Sequence, residues 1–149
     1  MNPPSHLKRG SRAVGTLAKT GLAVRGDEVT DRLAGQVAAI CLALPEVTER
    51  LSHGAPTWFV RGKSAFVTLW VHGHHDQEFP HLWVAGPPGA QLELTRSEPE
   101  RFFRPPYVGG RGWIGVRLDR DVNWAEIAEL CQDAYRVIAP AKLAAQLDR

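Results

Sequence analysis

A helix, a run of strands and a second helix, in that order, predict an α+β domain: an antiparallel β-sheet flanked by an N-terminal and a C-terminal helix. Three observations carry this. Val29, Leu33, Val37, Ile40, Cys41 and Leu44 recur at three- and four-residue steps, the spacing of one helix face. The centre of the chain holds short alternating, β-branched and aromatic runs separated by Gly- and Pro-bearing turns. A capped amphipathic run follows Asn123. Strands do not alternate with helices, so no dinucleotide-binding crossover is expected.

The first helix is expected from Asp27 to Leu44. Asp27, Glu28 and Asp31 would sit in its first turn, where carboxylates meet the positive end of the helix dipole. Pro45 disfavours helical backbone at Leu44 and stops it. Residues 46–56 then read as a turn or short helical piece ending at Gly54-Ala55-Pro56. Thr57–Val60 and Ser64–Val71 form a hairpin around Arg61-Gly62-Lys63. In its second strand Phe66, Thr68 and Trp70 point one way and Val67, Leu69 and Val71 the other, which predicts a central strand covered on both faces. His81–Ala85 is a third strand, broken by Gly86-Pro87-Pro88-Gly89, and Ala90–Thr95 fits a helical turn or a strand. Trp113–Asp119 is the fourth, with Ile114, Val116 and Leu118 inward. For the last helix, Asn123 is the N-cap, Glu126 completes a capping box, and Val122 and Ile127 form a hydrophobic staple. Trp124, Ile127, Ala128, Cys131, Ala134, Tyr135 and Ile138 trace its buried face, to be packed on Ile114, Val116 and Leu118. Pro140 ends it, and Ala141–Leu147 adds a short turn.

A chain of 149 residues, 44% hydrophobic and 23% charged, is one ordinary globular domain. It contains no apolar run of the roughly 18–20 residues a membrane span needs. Cys41 and Cys131 lack CxxC spacing and read as reduced core thiols of a cytoplasmic protein. The net charge of +2 hides a division. Lys8, Arg9, Arg12, Lys19 and Arg25 stand in residues 1–26 without an acidic residue, leaving 13 of the 18 basic side chains against all 16 acidic ones in the remainder. Residues 1–26, with no apolar h-region, are expected to be a disordered basic arm or the product of an upstream start codon, and residues 27–149 the domain.

His72, His74, His75 and His81 cluster with Asp76 and Glu78, and His72 and His74 have a spacing compatible with zinc. Gly73, Gln77 and Pro80 instead favour a mobile, solvated loop, so neither a metal nor a cofactor is expected. Ser52-His53 and Ser64 lack a nucleophile-elbow context, and no carboxylates are paired, so no catalytic residue is assigned. Gly109-Gly110-Arg111-Gly112 leads into a strand rather than a helix and reads as a turn, not a phosphate cradle. Trp58, Trp70, Trp83, Trp113 and Trp124 suit core packing, or an aromatic face lining an apolar cleft. Arg61, Lys63, Arg101, Arg104, Arg111 and Arg117, with Tyr107 and Trp113, form the candidate nucleic-acid or ligand-binding set, because arginine forks suit phosphates and carboxylates. Their alternative fate is a solvated rim ion-paired to Glu98, Glu100 and Asp119.

Leu44-Pro45-Glu46-Val47, Gly62-Lys63, Pro106-Tyr107, Gly112-Trp113 and the helix bearing Tyr135 together resemble the MmcQ/YjbR family of small bacterial proteins, over about residues 30–145. The resemblance implies a CyaY-like α+β fold and a non-enzymatic, DNA-binding role, and brings no catalytic residues. DNA is then the first expected partner, met by the basic set and the arm. The alternative is a small anionic ligand or an acidic protein surface held by arginines and tryptophans. A flat positive face would favour DNA; a pocket lined by arginines and tryptophans would favour the small ligand.

Overall fold

The computed structural model describes residues 21–148. Expectations for most of the basic arm therefore lie outside the described residues. Helix α1 (Gly21–Leu42) is followed by strands β1 (Val47–Ser52), β2 (Ala55–Val60), β3 (Ser64–Trp70) and β4 (His81–Val84), then helix α2 (Ala90–Ser97). Strand β5 (Phe102–Phe103), a 3-10 turn at Gly109–Arg111, strand β6 (Ile114–Arg117), helix α3 (Trp124–Ile138), helix α4 (Ala141–Ala145) and a last 3-10 turn at Gln146–Asp148 complete the chain. The six strands form one antiparallel sheet in the order β1-β2-β3-β4-β6-β5. The predicted α+β class is the one observed.

Two helices cover one face of the sheet. Val37, Cys41 and Leu44 from the α1 segment and Ile127, Cys131, Ala134 and Tyr135 from α3 close a core with Trp58, Val67, Leu69, Leu82, Val84, Ile114 and Val116. Helix α3 approaches β3 and then β4 most closely, rather than lying chiefly on β6. Its Tyr135 hydroxyl donates to the Pro45 carbonyl at 2.6 Å, joining points 90 residues apart. Asn123 caps α3, its Oδ1 accepting from the Ala125 and Glu126 amides at 3.1 and 3.2 Å. The reciprocal half of the capping box is absent, because the Glu126 carboxylate is engaged by Arg101. Trp124 and Ala128 are only half-buried.

Other expectations are corrected. Helix α1 begins at Gly21, so Asp27, Glu28 and Asp31 lie beyond its first turn, and Val29 is 42% exposed. Gly26 does not break it, since one glycine costs a helix only about 1 kcal/mol. Residues 47–52 are not helical but form edge strand β1, paired in unbroken register with β2 through a turn with positive φ at His53 and Gly54. Two consecutive positive-φ residues make a type I′ connection, whose twist matches the hairpin. Ala90–Ser97 is a helix. Finally, the β2–β3 register shifts between Trp58 and Phe59, with Val67 opposite Trp58 and Ala65 opposite Phe59. The inserted residue is Phe66, which the bulge turns toward the helices, its ring 5.6 Å from that of Tyr135.

Candidate functional site: an aromatic cleft with a cationic end

The sheet face away from the core helices is covered by loops, and the cover is incomplete. A row of side chains crosses this face from Thr57 to Thr68 to Trp83, strand partners in register. Ala65 and Trp70 share the face. Above them opens a cleft of about 870 Å³, lined also by residues of the 52–53, 63–64, 74–75 and 107–113 segments and by Val137 and Ile138 at the end of α3. That volume is in the range of small-molecule sites. No Asp or Glu is among the described residues that line it, whereas Lys63 and Arg111 are.

Register gives the cleft two unlike ends. Lys63 immediately precedes β3, and Trp113 immediately precedes β6, whose Ile114 pairs with Val84, itself the partner of Val67. Lys63, Ser64, Arg111 and Trp113 thus gather at one end of the sheet. Trp70 closes β3 at the other end, where the 71–80 loop begins. The Trp70 ring lies 5.0 Å from Trp83 and 4.3 Å from His74, and His74 lies 5.0 Å from Trp83 and 4.0 Å from His75. Tyr107 flanks both histidines at 6.2 and 6.1 Å and is 79% exposed.

Unmet polar atoms concentrate at this aromatic end. Trp70 Nε1, Trp83 Nε1, His74 Nδ1 and His81 Nε2 are buried without a hydrogen-bond partner among the described residues. A buried donor or acceptor left unpaired costs roughly 1–3 kcal/mol, so four such atoms in one neighbourhood are a substantial local penalty. The His81 Nδ1 lies 2.8 Å from the Phe79 carbonyl and must donate there, which leaves Nε2 as a bare acceptor. Burial holds the His81 pKa below the ordinary histidine value, against the opposing effect of that hydrogen bond. Burial, then the charge of His75, lowers that of His74. Backbone strain collects here as well: of the five non-glycine residues with positive φ, His53, His75 and Tyr107 line the cleft.

The histidine loop is solvated at His72, His75, Asp76 and Glu78, as expected, but it is built around a tight turn. His74 and Gln77 form a bridge closing a tight turn, and a side chain at Gly73 would collide with the Gln77–Glu78 backbone. His72 and His75 are exposed, His74 is half-buried, and His81 is fully buried within β4. Among the described residues no group of three or more His, Cys, Asp or Glu is placed to hold a metal. Ser52 Oγ lies 3.3 Å from His53 Nδ1 at the cleft wall, but no carboxylate stands behind that histidine.

The predicted basic set divides. Arg61 is paired with Glu46 at 2.8 Å. Arg101 is paired with Glu98 at 2.6 Å and with Glu126. Arg117 is paired with Asp119 at 2.6 Å and lies over the Phe79 ring. Its hydrogen bonds hold the Asp119 carboxyl below its ordinary pKa. Glu98 and Asp119 thus take the partners expected of them, whereas Glu100 takes none among the described residues. Lys63, Arg104 and Arg111 have no ion pair among the described residues, and Arg111 lies over Trp113 at 5.6 Å. Lys63, Arg111, Tyr107 and Trp113 meet at the cleft. Arg104 lies outside it, packed along Gly109, in a second, shallower hollow with Tyr107. Gly109–Arg111 is a turn, as expected, with Gly112 in left-handed backbone releasing Trp113 toward β6. Gln91 of α2 holds this wall, donating to the Gly109 and Trp113 carbonyls at 2.8 and 2.6 Å. Trp70 and Trp83, which the sequence offered only as an alternative cleft lining, and His74, which it placed in a loop, are among the lining residues outside the candidate set. Of the five tryptophans, Trp58, Trp83 and Trp113 are buried in the core, as core packing implied, and Trp83 and Trp113 also line the cleft with the partly buried Trp70.

A fold of this order, with a loop-roofed cleft on one sheet face, marks a small α+β protein of the class the motifs resemble. The YjbR family model matches residues 42–137, well over half of the chain, and the chain belongs to that family. The crystal structure of Deinococcus radiodurans protein DR2400, which carries a DUF419 domain, shares the fold with a TM-score of 0.56. That likeness covers 68% of this chain and 74% of the other at 19% identity. No curated protein matches the chain significantly. No helix of the described residues is long and apolar enough to cross a membrane.

Proposed function

We propose that this chain is a non-catalytic binding module for a small anionic ligand, held in the cleft between the sheet and the 71–80 and 104–113 loops. The observation that carries this reading is the lining: three tryptophans and two cations, with no ion pair to those cations and no carboxylate in the lining among the described residues. In a chain with 16 acidic side chains, a carboxylate-free cleft selects for negative charge. The DNA reading loses half of its expected contacts, because Arg61, Arg101 and Arg117 already face carboxylates. Catalysis finds little support, since no acid orients His53, His74 or His75. The buried free thiols Cys41 and Cys131 support a cytoplasmic setting.

Thermal-shift titration of the full chain with nucleoside monophosphates, aryl carboxylates, citrate and a duplex DNA tests this. At least one small anion should raise the Tm saturably. Lys63→Ala and Arg111→Ala should each weaken it about tenfold, the scale of one hydrogen bond to a charged group, and Arg61→Ala should leave it unchanged. The reading fails if no small anion binds, while DNA binds and is weakened by Arg61→Ala and Arg117→Ala.

A further inference from the structure

Taking the anion site just proposed as given, we infer that its ligand is an aromatic anion: a planar ring at the Trp70–Trp83 end, joined to an anionic group at the Lys63–Arg111 end. The two ends of the cleft differ in chemistry but lie within reach of one small molecule: Trp83 pairs with Thr68, four residues or about 13 Å along β3 from Ser64, and the long Lys63 and Arg111 side chains line the same cleft. An inorganic or short aliphatic anion would satisfy the cations and leave the aromatic end empty. That end is built to take a flat ring. Tyr107 stands 79% exposed with φ at 65°, an aromatic side chain held in left-handed backbone at the rim where no core contact demands it. It faces His74 and His75, and behind them lie the Trp70 and Trp83 rings. Aromatic rings on such a rim stack planar ligands with little regard for their edge pattern.

The unpaired atoms add a requirement. Trp83 lines the cleft, is 7% exposed, and its Nε1 has no acceptor among the described residues. Trp70 Nε1 shares that state, and His74 Nδ1 also lacks a hydrogen-bond partner there. A ring bearing a carbonyl or hydroxyl oxygen would supply the missing acceptor as the 74–75 turn adjusts around it. Nucleotide bases and oxygenated aryl carboxylates both meet this description, and a cleft of about 870 Å³ holds either.

The test uses matched ligands and the full chain, with tryptophan fluorescence and calorimetric Kd as readouts. The series comprises uridine monophosphate, salicylate, benzoate, inorganic phosphate, acetate and uridine. Aromatic anions should bind at least tenfold more tightly than phosphate or acetate and should quench the tryptophans. Tyr107→Ala should remove most of that advantage while leaving the weak phosphate or acetate affinity in place. Trp83→Phe, which keeps a ring but removes the N–H, should reduce the preference for salicylate over benzoate. Uridine monophosphate outranking salicylate identifies the class as nucleotide, and the reverse order as aryl carboxylate. Phosphate or acetate binding as tightly as the aromatic anions overturns the ring subsite and leaves the anion site standing. Uridine matching its monophosphate overturns the anion site and this inference with it, and no binding by any member sinks both.

Discussion

Trp58 and Trp83 are both buried, on strands either side of β3, and differ in one hydrogen bond. Trp58 Nε1 donates to Glu49 Oε1 at 3.1 Å, and Trp83 Nε1 finds no acceptor among the described residues. Replacing each by Phe removes similar volume. Trp58→Phe also loses a partnered donor, whereas Trp83→Phe relieves an unpartnered one. Trp58→Phe should therefore be the more destabilising by about 1–3 kcal/mol in urea unfolding of the ligand-free chain. Equal losses would mean that Trp83 Nε1 is satisfied in solution, which would remove one support for a ligand acceptor there. This distinction is invisible in the sequence, where all five tryptophans sit on alternating or amphipathic runs and look alike. The arginines were legible to a different degree. Arg117 and its partner Asp119 are two residues apart and can be paired by reading. Arg61 and Glu46 are 15 apart, and Arg101 and Glu126 are 25 apart, so only the fold brings them together.

At the level of elements, the features that read correctly are those with strong local signals. Helix α3 has its N-cap and terminating Pro140 where the residues imply, and Ile127, Cys131, Ala134 and Tyr135 of its apolar face are buried. Strand β1 escaped because an edge strand exposed at Thr48, Glu49 and Arg50 buries too little to show an alternating pattern. The bulge at Phe66 escaped because strict two-residue alternation assumes an unbroken ladder. Helix α3 also supplies a stability contrast. Ile127 is 2% exposed among Cys131, Tyr135 and the sheet, so Ile127→Ala should cost about 2–5 kcal/mol through lost burial and a residual cavity. Arg111 is exposed and unpaired among the described residues, so Arg111→Ala should change stability by no more than about 0.5 kcal/mol. Chemical denaturation of both variants decides it. A loss at Arg111 as large as that at Ile127 would make the arginine a structural strut and withdraw it from the ligand site.

Over the whole molecule, charge and shape lead to different partners, and the fold separates them. The shape was only half legible: apolar residues on both sides of β3 predicted two covers. The helices supply one, but the other is a set of loops that leaves a cleft, which no periodicity in those loops announces. The charge was legible from the start. Lys8, Arg9, Arg12 and Lys19 precede α1, which begins at Gly21, while the residues from 27 onward carry a net −3. Affinity for duplex DNA comes mainly from neutralised phosphates and falls with salt by about 0.9 log units per contact per tenfold change in concentration. An acidic domain whose sheet-edge arginines are already paired supplies few such contacts, so DNA binding by this chain should reside in those four side chains. Changing Lys8, Arg9, Arg12 and Lys19 together to Gln avoids cutting into α1. It should abolish measurable duplex binding above low salt and flatten the salt slope by up to about 3–4. The affinity for a small aromatic anion should stay unchanged if that anion is held by Lys63 and Arg111 in the cleft. Unaltered DNA affinity and slope in that variant would return nucleic-acid recognition to the domain itself and to Arg104, Lys63 and Arg111.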